Sequence, residues 1–345
     1  MPARPGVVAV ARALARPGFV VLAVRDGVVL AEGAGGWAVR WGAGPEGPVE
    51  LPVGRGVPQA EGRGRVPMTV DTVFDLASLT KLYTALLVAR AADEGLLDLD
   101  APVGRYVPEV TDARVTLRLL LAHRGGMAAD LDLAPYGTRA LRLAAVFGEP
   151  PVYVPGEGER YSDLGLITAG VAVERAAGAA LDVLLERWFT GPLGLVDTGF
   201  RPSAERVARC AATEYQPWTG RGVVRGEVHD EKAFLLGGVA GHAGVFGTAR
   251  EVAVLAQVLL NGGRYGGVRV LSEERAARWP GWERDRPAYM GALASPRTYG
   301  HTGFTGTSVV ADSRSGTVLV LLTNRVHPGR ERPVAGVRAA VASAL

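Results

Sequence analysis

Strand-like sequence stands at both ends of this chain and helix-like sequence fills the middle. That arrangement restricts the available folds more than any other feature. Near the start, Phe19–Val24 and Gly27–Ala31 flank Arg25-Asp26-Gly27, and an Asp-Gly turn between apolar runs predicts a β-hairpin. Near the end, Gly306–Asp312 and Thr317–Leu322 are rich in Val, Thr and Leu and flank Ser313-Arg314-Ser315-Gly316, which predicts a second hairpin. Between them, Ala77–Ala92 carries Leu79, Leu82, Leu86, Val88 and Ala89 at helical spacing and closes at Gly95. Helices are also expected over Thr116–His123, Ala140–Val146, Leu164–Ala177, Leu181–Thr190 and Ala249–Leu260, with a last one over Pro333–Ala344. Thr72–Asp75 reads as a short extended piece, and residues 41–67, crowded with Gly and Pro, read as a long loop. Strands do not alternate with helices, so the pattern is α+β: an antiparallel sheet built from the N- and C-terminal segments and flanked by helices, with a mainly helical insertion. The sheet part is expected over residues 1–76 and 232–345 and the insertion over 77–231.

Composition excludes several classes of function. Among 38 Lys and Arg, only Lys81 and Lys232 are lysines; Ile occurs once and Asn twice. These three residue types share AT-rich codons, so the arginine abundance reads as the background of a GC-rich genome. The net charge is only +3, and arginines such as Arg40, Arg55, Arg105, Arg160, Arg187 and Arg225 are scattered singly. Nucleic-acid binding requires a clustered basic face, and none is expected. Cys210 stands alone, which excludes a disulfide framework. No 18-residue window is free of charge and polarity, so no membrane span is expected. At the N-terminus the apolar run Gly6–Ala11 is short and is broken by Arg12 and Arg16. It makes a poor secretory leader, and the expected location is cytoplasmic.

Three short motifs carry chemistry. Ser78 and Lys81 are three residues apart in Ser78-Leu79-Thr80-Lys81, a spacing that puts both on one helix face. A serine hydroxyl becomes a useful nucleophile when a neighbouring base takes its proton. A lysine can be that base where burial or a helix N-terminus lowers its pKa. Arginine cannot, so a lysine surviving in an arginine-rich chain points to function; Lys232 acquires no role by this reasoning. Tyr161-Ser162-Asp163 follows a Gly-rich loop and precedes a helix, offering Tyr161 as a proton shuttle. His301-Thr302-Gly303 leads into Phe304-Thr305-Gly306-Thr307 and a strand, where a small residue lets a substrate approach the backbone closely. Taken singly, each has a structural reading: a chance spacing, a loop-anchoring tyrosine, a turn before an edge strand. His229-Asp230 and His242 lack zinc-site spacing, so no metal or cofactor is expected. No Gly-x-Ser-x-Gly elbow is present.

Together and in this order, the motifs resemble the Ser-x-x-Lys, Tyr-x-Asn and Lys-Thr-Gly set of the serine β-lactamase and penicillin-binding protein superfamily. The tyrosine version is similar to the class C β-lactamases, the D-alanyl-D-alanine peptidases and the β-lactamase-fold esterases. Further segments extend the resemblance over most of the chain: Phe74–Lys81, Gly95–Val103, Leu119–Met127, Pro192–Leu195 with Asp197-Thr198, Gly237–Phe246 and Gly300–Thr307. It implies that Ser78 forms an acyl-enzyme, that Lys81 and Tyr161 share the general-base work, and that the N–H groups of Ser78 and Phe304 form an oxyanion hole. It places Asp163, His301, Thr302, Gly303 and Phe304 around the substrate, a small ester, amide or D-amino-acid peptide. Two positions depart from the family. Asp163 replaces an Asn and can only accept hydrogen bonds when ionised; paired with Lys81, it would raise the lysine pKa. His301 replaces a Lys and is a weaker anchor for a carboxylate. Both favour an esterase or D-alanyl peptidase over an efficient β-lactamase. A non-catalytic protein of the same fold that binds cell-wall fragments is the alternative.

Overall fold

The computed structural model describes residues 6–53 and 64–345. Residues 1–5, where the leader reading begins, and 54–63, inside the expected loop, lie outside the described residues. The main sheet has seven strands: β1 (Gly18–Arg25), β2 (Val28–Val39), β3 (Val66–Pro67), β4 (Glu283–Arg284), β5 (Thr298–Thr302), β6 (Ser308–Asp312) and β7 (Thr317–Thr323). Their spatial order is β4-β5-β6-β7-β1-β2-β3, and every pairing is antiparallel. The two termini therefore meet at the centre of the sheet, where Phe19 stands opposite Thr323 and Val24 opposite Val318.

β1 reads as a continuous apolar run because helices cover both of its faces. Side chains alternate between the faces with period two. Val20, Leu22 and Val24 enter the large core with Val309, Val318, Val320 and Leu322. Phe19, Val21 and Ala23 enter a smaller core with Val310, Leu319 and Leu321. Helices α1 (Val7–Leu14) and α5 (Ala335–Ser343) close the smaller core through Val7, Ala11 and Val341. The large core also takes in α2 (Thr80–Asp93), α3 (Asp163–Ala177) and α4 (Ala249–Leu260). α4 starts on a threonine N-cap: Thr248 Oγ1 accepts from the Glu251 N–H. It ends before Gly262-Gly263, both with positive φ.

The structure differs from the sequence expectation in four places. Residues 41–50 form a hairpin, Trp41–Gly44 against Gly47–Glu50, and Val66–Pro67 is the edge strand β3. Their Gly and Pro content hides the strand signal. Val7–Leu14, assigned no element from the sequence, is the amphipathic helix α1, packed against α5 and β2. Ala77–Leu79 is a 3₁₀ turn and the α-helix begins only at Thr80, so Ser78 precedes the helix rather than sitting in its first turn. Leu181–Thr190 changes from α-helix to a π turn at Glu186. Among the described residues, no single helix is long and apolar enough to cross a membrane.

Candidate active site

The turn that carries Ser78 is pinned from both sides. The short strand Phe74–Asp75 pairs with Val245–Gly247. The carboxylate of Asp75, fully buried, accepts from the Ala77 N–H at 2.8 Å and the His229 N–H at 2.6 Å. Burial pushes its pKa up, against the pull of those two donors. Ala77 takes φ +48°, a left-handed conformation that non-glycine residues adopt only under constraint. From the third motif, Thr305 Oγ1 donates to Asp75 O at 2.8 Å and Thr307 Oγ1 donates to Leu76 O at 2.9 Å. Gly303 lies so close that an added Cβ would meet Thr307 Oγ1 and Leu76 O. Arg338 on α5 donates to Gly303 O and Thr307 O at 2.7 and 2.8 Å. The His-Thr-Gly strand end is thus stapled onto the serine turn.

Lys81, 2% exposed, spends all three N–H groups. It donates to Ser78 Oγ at 2.9 Å and to His242 O at 3.1 Å, and pairs with Asp163 Oδ1 at 2.8 Å. The His242 carbonyl arrives through a glycine-rich loop laid between α2 and α3. Thr84 Oγ1 holds Gly241 O at 2.7 Å, and a Cβ on Gly241 would strike Leu166 O. Burial opposes the charge on Lys81, but Asp163 and Tyr161 outweigh it, and the pKa lies above the ordinary lysine value. Burial alone predicts a lowered pKa and a free base; the carboxylate reverses the sign.

α3 presents the second motif. Ser162 caps it, accepting from the Gly165 N–H at 3.0 Å, and donates to Ala128 O at 2.6 Å. The Tyr161 ring is 43% exposed and lies 4.8 Å from Lys81 Nζ, 4.5 Å from the His123 ring and 6.3 Å from the His301 ring. Asp163 has both oxygens on ammonium groups: Oδ1 on Lys81 and Oδ2 on Lys232 at 3.2 Å. Burial works against its ionisation, yet Lys81, His242 and Lys232 prevail and hold its pKa below the usual carboxylate range.

On β5, His301 is 2% exposed. Its Nδ1 stands 2.9 Å from Thr302 O, an oxygen that only accepts, so the ring proton sits on Nδ1. Nε2 is buried without a partner. Burial, then the charge on Lys81, pushes its pKa down to about 3, so the ring is neutral and offers a lone pair. Thr302 ends β5. Phe304 is exposed at the end of the turn, stacked on His229 at 5.5 Å and under Arg325 at 4.6 Å. A cavity of about 470 Å³ opens beside the site; His123, Glu159, Trp279, Trp282 and Arg284 are in its wall.

The structure thus brings Ser78, Lys81, Tyr161, Asp163, His301, Thr302, Gly303 and Phe304 into one region. It adds His123, Asp130, Asp230, Lys232 and His242, none of which sequence reasoning placed at the site. Lys232 had its rarity as a signal; Asp230 and His242 were weighed only as metal ligands, and His123 and His242 lie in segments that carry the family resemblance. Asp163, Asp230 and His242 bring potential ligand atoms within 4.8 Å of one another. The ammonium groups of Lys81 and Lys232 stand on the same carboxylates, so the chain itself supplies the positive charge they require.

Three histidines, His301 and His327 buried and His123 half-buried, make stability pH-dependent. Burial is the main cause in each, and it lowers His123 to about 4, His301 to about 3 and His327 to about 4, from 6.5. His327 Nε2 accepts from the Arg40 and Trp41 N–H groups, and protonation would turn that acceptor into a donor. As pH falls, the unfolded chain binds protons first, near 6.5. Stability is therefore complete above 6.5 and declines between 6.5 and about 3–4, by up to about 1.4 kcal/mol per pH unit per histidine. A urea-unfolding midpoint that stays flat from pH 7 to pH 5 would contradict this.

A serine hydrogen-bonded to a buried lysine and facing a tyrosine, beside an antiparallel sheet capped by helices, is the arrangement of a serine hydrolase of the β-lactamase fold. The Beta-lactamase family profile matches residues 8–344, and the chain belongs to that family. A relative from Escherichia coli (strain K12) named "Putative D-alanyl-D-alanine carboxypeptidase" is 36% identical over 311 positions, covering 76% of this chain and 71% of its own. Among solved structures, a penicillin-binding protein homologue from Caulobacter crescentus superposes with TM-score 0.71 at 21% identity, covering 100% of this chain and 99% of the other. A family VIII carboxylesterase gives TM-score 0.69 at 22% identity, with 95% and 92% covered. At such identities these likenesses show the fold.

Proposed function

We propose that this protein hydrolyses esters or D-alanyl peptides through an acyl-enzyme on Ser78, and that β-lactams are poor substrates. The observation that carries the reading is the Lys81 ammonium, buried and donating to Ser78 Oγ. As a fixed cation it stabilises negative charge developing on that oxygen. Its three hydrogens are committed, so the Ser78 proton leaves through Tyr161. Ser78 Oγ adds to the acyl carbonyl carbon, the proton passes by way of Tyr161 to the leaving alkoxide or amine, and that group departs neutral. Water then releases the acyl group. By family resemblance, the N–H groups of Ser78 and Phe304 receive the oxyanion. The neutral His301 provides no cation for a substrate carboxylate, which favours esters. The name of the Escherichia coli relative favours D-alanyl peptides.

The test is a rate panel of short-chain p-nitrophenyl esters, a D-alanyl-D-alanine peptide and a chromogenic cephalosporin. Cephalosporin turnover near the diffusional ceiling of about 10⁸–10⁹ M⁻¹s⁻¹ would overturn the substrate assignment. Tight binding of muropeptides without any turnover would identify a silent binding protein instead.

Asp163→Asn gives a direct reading of the Lys81 charge. Without the carboxylate, burial becomes the dominant influence, and Lys81 is expected to titrate below the ordinary lysine value. With only two lysines in the chain, lysine-selective ¹³C NMR resolves it. An unchanged or higher midpoint would exclude Asp163 as the source of the raised pKa.

A further inference from the structure

The two lysines of the chain meet at one carboxylate. Lys81 comes from α2; Lys232 comes from the short helix Glu231–Leu235. They stand on opposite oxygens of Asp163, at 2.8 and 3.2 Å. Lys232 also reaches Asp130 at 2.8 Å and Asp230 at 3.6 Å. Asp230 Oδ1 takes His242 Nε2 at 2.8 Å, and the His242 carbonyl accepts from Lys81. The contacts close a ring: Lys81, Asp163, Lys232, Asp230, His242 and back to Lys81. Elsewhere this chain uses arginine for its ion pairs. A guanidinium is broad and planar, whereas an ammonium is a compact point charge. Lysine at both places fits two cations against the two oxygens of one buried carboxylate.

We propose that Lys232 is a positioning residue of the active site: by taking the second oxygen of Asp163, it offsets the carboxylate charge that otherwise resists proton removal from the Ser78–Tyr161–Lys81 group. This rests on the function proposed above. The charged and titratable groups facing that centre are Lys81 on α2; Tyr161 and Asp163 at the start of α3; His123 and Asp130 before it; Asp230 and Lys232; His242; and His301 on β5. Lys232 is the second ammonium among them, besides Lys81 itself. Its removal leaves Asp163 with its full charge on Lys81 and takes a like charge away from Lys81. Both changes leave less positive charge at the centre, so the Ser78 proton leaves less readily by way of Tyr161 and Lys81 holds its own proton more tightly.

The test is the pH dependence of p-nitrophenyl acetate hydrolysis by the full chain. In Lys232→Met the rising limb of kcat should move up by about one pH unit, so that turnover below the limb falls about tenfold while KM holds. Lys232→Arg, which keeps the charge, should restore most of the limb position. Lys232→Met with Asp163→Asn should bring the limb back to wild type or lower. Should Lys232→Met fail to fold because Asp130, Asp163 and Asp230 are left crowded, Asp130→Asn in the same chain relieves the crowding. A limb that stays in place, or a loss equal at every pH, would show Lys232 to be structural only and overturn the proposal. The second readout does not depend on activity. In Lys232→Met, Lys81 is the remaining lysine, and its ¹³C signal should titrate at higher pH than in the wild type; an equal or lower midpoint overturns the proposal. Wild-type protein that neither turns over esters nor labels at Ser78 with a fluorophosphonate would sink the proposed function, and the lysine titration would still decide the role of Lys232.

Discussion

Ser78→Ala is expected to reduce ester turnover by about 10³-fold or more and to abolish covalent labelling by a fluorophosphonate, with the fold retained. The variant removes the oxygen to which the proposed function assigns addition to the carbonyl carbon. The rest of the site stays in place: Lys81 keeps Asp163 and the His242 carbonyl, and Tyr161 keeps its stack on His123. Residual activity in serine hydrolases stripped of the nucleophile comes from substrate binding and oxyanion stabilisation, and it lies several powers of ten below wild type. Active-site titration by mass spectrometry checks the claim. Equal labelling of wild type and Ser78→Ala would place the nucleophile elsewhere.

The second large effect is expected at Gly303. An alanine Cβ there would collide with Thr307 Oγ1 and with the Leu76 carbonyl at 2.5 Å, and the carbonyl belongs to the turn that carries Ser78. Rotating Thr307 away gives up its bond to Leu76 O, and moving the backbone parts the third motif from the nucleophile. Forced overpacking of this kind costs about 1–3 kcal/mol, and a displacement of about 1 Å at reacting groups costs about 10²-fold in rate. Gly303→Ala should therefore lose both stability and kcat, measured by urea unfolding and ester turnover. Wild-type kcat in a stably folded Gly303→Ala would show that the turn and the nucleophile are not coupled.

The fold was legible wherever one physical rule acted alone. α4 appears at its predicted bounds because apolar spacing, a threonine cap and a glycine pair agree. The C-terminal hairpin appears because branched residues flank a turn. The hairpin at residues 41–50 was hidden because its glycines and prolines carry no strand signal, and its register comes from backbone pairing and the Arg40–Glu50 ion pair. α1 was hidden because a short amphipathic helix and a weak leader share a composition. At the site, the Ser78–Lys81 contact was readable from spacing. The protonation of Lys81 was readable only as a conditional, because its sign depends on a carboxylate 82 positions away in the chain. Lys232 was flagged by rarity, but no local pattern could say that its ammonium ends on the far oxygen of Asp163.

Sheet closure has a consequence for how the protein is made. Gly18 N–H donates to Asn324 Oδ1 across 306 residues of sequence, and β1 lies between β2 and β7. During synthesis the first hairpin waits, one edge open, until β7 has emerged. Arg338, which fixes the carbonyls of Gly303 and Thr307, emerges later than either of them. Contacts of such long range form late and slowly. A nascent chain holding Ser78, Lys81 and Tyr161 already contains its reactive groups, yet it lacks the strand and the clamp that align them. A nascent chain that has reached Tyr161 but not Arg338 therefore holds Ser78 on a turn that its strand and clamp have not yet fixed.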